Sequence, residues 1–382
     1  LDGLRGIGAV QVCLFHLSPA FGFDAPYGPA LVAFDGQLAV FIFFFISGVG
    51  LAGWANSDFP RWTRLIVARA ARLFIPSMAA CLFAFGVWII LLPFSPQVCG
   101  LLPASKLTAS VAAKFLTDIF MFMPLLGHRD SSLFLNVPWL GMLIRQHAFT
   151  IGPLWTISIE FYGSLVVLTL AASKRFSKCV VILAVFIALL LTLRSILFPF
   201  VVGFVMFHAR NRIRFNMPIL VTLAVLSGGF FISIAASNNV YFSWAEWIAR
   251  VSFMVPAQSS YSVQKCAAAL LIFCVIFLSP EAKMLLSNRF FRFLGSVSFP
   301  LYLTHFPLLM IFWATDRFLL ARGMPTKATV YLSLVPYTLC LCAAIAIFRQ
   351  IDTLSINASR AIVGRRRTDR ATIPQEQADL AA

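Results

Sequence analysis

The chain has 382 residues, 60% of them hydrophobic and only 12% charged, with a mean hydropathy of +0.89. That excludes an ordinary soluble domain, whose apolar share is about 45–50%. The formal charge of +16 would suit a nucleic-acid binder, but the basic residues sit in short clusters between apolar runs, where they report membrane topology.

Ten apolar spans can be drawn, at 5–22, 36–54, 73–92, 153–172, 179–193, 195–208, 217–236, 264–279, 294–313 and 327–348. Porin-like strands would read as short alternating segments instead, and none occur. The pattern predicts an all-α polytopic membrane protein with about ten transmembrane helices. Of the 30 Lys and Arg, 20 fall on one side of the alternating spans. The positive-inside rule makes that side cytoplasmic and places both termini there, as an even span count also requires. The expected organisation is a transmembrane domain at 1–354 and a basic, disordered cytoplasmic tail at 355–382. The expected location is the inner or plasma membrane of a cell. The long loops 93–152 and 237–263 carry amphipathic pieces, "VAAKFLTDIFMFMPLLG" and "SWAEWIARVSF", suited to the interface or to a sheltered dip into the bilayer. The eight cysteines lie mostly inside apolar spans without metal-ligand spacing, so they read as small core residues and no metal site is expected.

Ionisable groups at bilayer depth are costly and need a partner or a task. The first span, "LDGLRGIGAVQVCLFH", carries Arg5 and His16. Eleven helical steps return to within roughly 20° of the starting direction, so both share one face about 16 Å apart. "RWTRLIVARAARLFIP" places Arg69 and Arg72 one turn apart at the cytoplasmic entrance of the third span. Paired guanidiniums there suit a phosphate clamp, although any cytoplasmic boundary carries arginines. Glu160, in "GPLWTISIEFYGS", is the clearest acid inside a span. It reads either as half of an ion pair with a core arginine or as the partner of a histidine. His305 follows Tyr302 by one turn and Ser298 by two, on one face. His16, Glu160 and His305 reach a similar mid-membrane-to-outer level. A His–carboxylate pair at that level suits general-base chemistry.

These residues resemble the acyltransferase-3 family of integral-membrane acyltransferases. "LDGLRG" followed by His16 is similar to its arginine–ten–histidine signature. "FIFFFISGVGL", "ARAARLFIP", "LWTISIEFYGSL" and "FLGSVSFPLYLTHFPL" resemble its further blocks, in the family's order from residue 1 to about 308. The resemblance implies a ten-helix core that takes an acyl group, often acetyl, from cytoplasmic acyl-CoA. It passes the group to a hydroxyl of a carbohydrate or lipid-linked acceptor across the membrane. Carried over, Arg5 and His16 match its signature pair, Arg69 and Arg72 its acyl-CoA-binding arginines and Glu160 its acidic residue; this reading takes His16 and Glu160 as catalytic, Arg5 as a further acyl-CoA contact, and Tyr302 and His305 as acceptor-side candidates. Acyl-CoA would be a donor substrate, with no metal and no nucleic acid involved and membrane lipids as the surroundings. One position departs from the family pattern: Phe41 stands where many members have an Asp before the second-span phenylalanines, and Asp35 is the nearest acid that could replace it. His16 can be read as a base toward the acceptor or as a nucleophile forming an acyl-imidazole. Two other classes compete: a secondary transporter using intramembrane His and Glu, and a membrane scaffold whose polar residues are packing glue.

Overall fold

The computed structural model describes residues 1–21, 29–55, 62–91, 108–127, 139, 142, 152–210, 218–251 and 259–364, and every regular element among them is helical. The main helices are α1 (Asp2–Leu17), α2 (Gly36–Ala55), α3 (Trp62–Leu91), α4 (Ala109–Thr117), α5 (Trp155–Ser173), α6 (Lys178–Thr192) and α7 (Phe198–Ala209). They continue with α8 (Ile219–Ser237), α9 (Ser243–Arg250), α10 (Ser260–Leu278), α11 (Pro280–Leu286), α12 (Arg289–Ala321) and α13 (Thr326–Val363). Their ends follow local chemistry. Ser177, Ser259, Ser279 and Asn288 each accept an orphan backbone N–H at the start of α6, α10, α11 and α12. Gly364, at φ 81°, closes α13 in the left-handed conformation that glycine adopts freely.

Each of the ten expected spans coincides with a helix. Seven described helices are long and apolar enough to cross a membrane: α2, α3, α5 with its preceding turn, α8, α10, α12 and α13. The protein is therefore a multi-pass integral membrane protein. The other three are shorter: α1, α6 and α7 have 16, 15 and 12 residues. At 1.5 Å per residue they reach only about 24, 22 and 18 Å of a roughly 30 Å hydrocarbon core.

Around α1 the bundle is tightest. It lies between α12 and α2, while α3 packs on α12 and α13, and α5 on α2 and α3. The first helix meets α12 almost backbone to backbone. A Cβ at Gly6 would stand 2.6 Å from the backbone of Leu294 and Gly295, and one at Gly295 only 2.5 Å from the carbonyl of Asp2. Small residues let membrane helices approach this closely. The pairings Gly3–Phe291, Gly6–Gly295 and His16–His305 keep a single parallel register along α1. A second glycine contact, Gly48 against Gly203, joins α2 to α7. Phe41 is buried in the apolar core beside Phe44. On the outside, α6 and α8 expose Ile182, Leu183, Phe186, Ile219, Leu220 and Phe231, apolar surface that lipid would cover.

Two expectations need correction or limit. The tail expected to be disordered from 355 begins as helix: α13 continues to Val363, and Ser355 is fully buried. Its charges disguise it as a tail, yet it is held by an arginine of α3, as shown below. Residues 365–382 lie outside the described residues, as does most of the loop 93–152. Within that loop "VAAKFLTDIFMFMPLLG" is helical, as α4 and a π-helix at Asp118–Leu126, and it packs on α3 and α5. In the loop 237–263, α9 presents Trp244 and Trp247 outward while Ala245 is buried against the bundle.

Candidate active site

Arg5 stands on the first turns of α1, with Asp2 as its neighbour at 3.0 Å; the two side chains are 34% and 37% exposed. An i,i+3 pair that wet contributes little. The Arg5 Nε–H is buried and, among the described residues, has no acceptor. From α3, Arg69 and Arg72 come close enough for the Arg5 charge to oppose both of theirs. These two are engaged already. Arg69 donates to Glu160 and, at 2.7 Å, to the Ser164 hydroxyl, both on α5. Arg72 donates to Asp352 and, at 3.0 Å, to Ser355 on α13, and its guanidinium lies 5.1 Å over the Phe299 ring. The structure thus gathers Arg5, Arg69 and Arg72 at one end of the bundle, as the sequence suggested. It adds Asp352, at the end of the expected transmembrane domain, and Ser355, which sequence reasoning had assigned to the tail.

Of the two readings of Glu160, this geometry shows the ion pair with a core arginine. Glu160 accepts from Arg69 and from the Ser47 hydroxyl, so its charge is neutralised by a guanidinium. Its helix starts at the level of Tyr302 and descends away from the histidines; Glu160 lies one turn past Thr156, which bonds Tyr302.

His16 occupies the last turn of α1, half-buried between the ring edges of Phe15 and Phe306. Its Nδ1 lies 2.9 Å from the Val12 carbonyl and 3.3 Å from His305 Nε2. His305 is fully buried on α12, between Pro300 and Pro307, and its Nδ1 faces the carbonyls of Leu301 and Tyr302 at 3.1 and 2.8 Å. Tyr302 and His305, expected on the acceptor side, are both buried, with His305 against His16. The Tyr302 hydroxyl donates to the Pro153 carbonyl and bonds Thr156 at 2.7 Å, which ties α12 to the start of α5.

A second buried polar cluster escaped the sequence reading. Lys265 on α10 is fully buried and pairs with Asp35, whose side chain is 3% exposed. Lys265 also donates to Ser233 and Ser237 on α8 and lies 5.4 Å over the Tyr261 ring. The other Asp35 oxygen accepts from Leu38 N at 3.0 Å and so caps α2. Asp35 thus ties three helices and makes no bond to His16 or Glu160. The signal was legible in principle: "SYSVQKCAAALL" puts a lone cation at the edge of an apolar run, and "FDG" puts an acid just before one.

The site therefore has two ends on one helix: a cationic end at Arg5 and an imidazole end at His16, about three turns apart. Cations suit an anionic carrier, and a histidine can accept a proton or an acyl group. Among the described residues no group of three His, Cys, Asp or Glu could hold a metal ion. Comparison with known proteins gave no match among curated proteins or solved structures. The family model described as an acyltransferase domain, that of the acyltransferase-3 family, matches residues 1–347. That span contains both ends of the site, and the chain belongs to this family of membrane acyltransferases.

Proposed function

We propose that the protein moves an acyl group, acetyl in the simplest case, from acyl-CoA to a hydroxyl of a carbohydrate or lipid-linked acceptor. The donor approaches the Arg5 end, read as cytoplasmic, and the acceptor approaches the His16 end. One observation carries this reading. A single helix face joins a buried guanidinium N–H at Arg5, without an acceptor among the described residues, to a half-buried imidazole at His16. An anionic nucleotide group on Arg5 would let a pantetheine arm run along α1 and bring its thioester to His16.

The chemistry follows from the imidazole. As a base, His16 takes the acceptor hydroxyl proton while that oxygen attacks the thioester carbonyl; the C–S bond breaks, and the proton returns to the thiolate, which leaves as the CoA thiol. As a nucleophile, His16 first displaces the thiolate to form an acyl-imidazole; the acceptor oxygen then takes the acyl group as the C–N bond breaks, and the acceptor's proton ends on the CoA thiolate. Both routes give the same products. Arg69 and Arg72 supply positive potential around Arg5 while remaining bonded to Glu160 and Asp352.

The test uses purified protein with radiolabelled acetyl-CoA and a panel of glycan and lipid-linked hydroxyl acceptors. Free thiol and labelled acceptor should appear together and depend on His16. Thiol release equal to that of His16→Ala with every donor and acceptor would overturn the reading. Oriented proteoliposomes test sidedness: product should form with donor only on the Arg5 side and an impermeant acceptor only on the other. Product formed solely when both share the Arg5 side would overturn transfer across the membrane.

A further inference from the structure

The geometry points to His305 as the positioning residue that fixes the tautomer of His16 and leaves His16 Nε2 as the reacting nitrogen. This rests on the acyltransferase reading only for its catalytic consequence; the tautomer itself stands on the contacts.

Hydrogen accounting decides the assignment. His305 Nδ1 faces two carbonyl oxygens, at 3.1 and 2.8 Å. A carbonyl only accepts, so that nitrogen must carry its hydrogen. His305 is fully buried and, among the contacts of the described residues, touches no carboxylate. An uncompensated buried cation is costly, so the ring is neutral and its Nε2 is bare. That bare nitrogen faces His16 Nδ1 at 3.3 Å. One hydrogen must lie between the two rings, and it belongs to His16 Nδ1. The Val12 carbonyl, 2.9 Å from the same nitrogen, requires the same answer independently. The opposite placement would aim the His16 Nδ1 lone pair at a carbonyl lone pair and bury a charged His305. Only His16 Nε2 is left with a free pair.

His305 then does for His16 what a carboxylate does in other histidine-dependent sites: it accepts from the far ring nitrogen and holds the ring plane. Its Nε2 also bonds the His16 Nδ1–H when His16 Nε2 has taken the acceptor's proton or the acyl group. In that state the bond is to a positive ring and is stronger. No proton passes to His305 in this scheme. The proton taken by His16 Nε2 returns to the departing thiolate.

Histidine-selective 15N labelling of the full chain in lipid nanodiscs tests the tautomer without any substrate. The chain has 5 histidines, and signals lost in His16→Gln and in His305→Gln identify the two rings. The expected spectrum has a protonated Nδ1 and a bare Nε2 on both rings. A bare Nδ1 on His16 overturns the proposal even in an active enzyme. Kinetics test the consequence. His305→Leu should lower kcat about 10- to 100-fold, the worth of one hydrogen bond to a charged group, with the KM for acyl-CoA unchanged. His305→Gln, whose amide oxygen can accept from His16, should recover part of that loss. Wild-type kcat in a folded His305→Leu overturns the positioning role. Equal losses in Leu and Gln variants with matching falls in melting temperature do so as well, by showing a packing role alone. Absence of any acyl transfer by the wild type would instead refute the function and leave the tautomer assignment standing.

Discussion

Glu160→Gln distinguishes a carboxylate that holds the bundle from one that takes part in the chemistry. The carboxylate sits between the Ser47 hydroxyl and the Arg69 guanidinium, with the Glu160 and Arg69 side chains 15% and 16% exposed. Glutamine keeps the shape and removes the charge, leaving Arg69 with the Ser164 hydroxyl at 2.7 Å. Breaking a buried pair from one side costs about 3–5 kcal/mol, because the remaining charge stays desolvated. The residual exposure and the Ser164 bond place this pair at the lower end, about 3 kcal/mol, by the same reasoning. In a helical bundle of this size that is roughly 4 °C in melting temperature. Turnover below that temperature should fall less than about tenfold, well short of the loss expected on removing a general base.

The assay is thermal melting and acyl transfer on one preparation, extended to Arg69→Met and the double variant. Each single change should destabilise, and the double should cost about 2–3 kcal/mol less than their sum. An unchanged melting temperature with a hundredfold or greater loss of kcat would refute this reasoning and return Glu160 to the reacting atoms. A coupling of zero would refute the pair itself.

His16→Ala should lower turnover about 100-fold or more at unchanged melting temperature, and near wild-type turnover would remove the imidazole from the chemistry. Arg5→Gln should weaken binding of a non-reactive CoA analogue roughly 10- to 100-fold while sparing acceptor binding; unchanged affinity in a titration would dismiss the donor end. Lys265→Met should cost about 3–5 kcal/mol by stranding Asp35, and adding Asp35→Asn, which can still cap α2 at Leu38, should recover most of it in denaturation experiments. Gly6→Val should destabilise the protein and lower turnover, because its Cβ has only 2.6 Å to the Leu294 and Gly295 backbone, whereas Gly228→Ala, with nothing within 4 Å, should leave both unchanged.

The apolar runs were readable because a membrane helix must bury its own backbone bonds, so each expected span became a helix. Ends were harder. The last turns of α13 carry Ser355 and Arg360, which read as the start of a solvated tail until Arg72 is found bonded to Asp352 and Ser355. Burial depth was legible for Glu160, but its partner was not. Helical arithmetic places a residue on a face without saying which neighbouring helix that face meets, and Arg69 and a histidine were both within the alternatives. Lys265 went unread because its counter-ion, Asp35, lies 230 residues away in sequence. The His16–His305 contact had a partial signal. Glycines in "LDGLRG" and "FLGS" mark two backbones that can touch, yet only the folded chain shows that they touch each other and so bring the two rings level.

Charge compensation orders the three cations at the Arg5 end. Arg69 and Arg72 each hold a carboxylate, and an incoming anion would have to share or displace it. Among the described residues Arg5 holds only Asp2, in the most exposed of these three pairs, and keeps a buried Nε–H without an acceptor. A buried donor without an acceptor costs about 1–3 kcal/mol, which an anion recovers on arrival. On the proposed function, the donor's anion is therefore expected at Arg5, on the helix that also carries His16. Because both ends belong to α1, and α1 is locked to α12 by glycine contacts, their separation is set by helix geometry rather than by a domain motion. On the proposed function, a carrier long enough to span about three helical turns would bring its reactive end to the imidazole, and a shorter thioester bound at Arg5 would not.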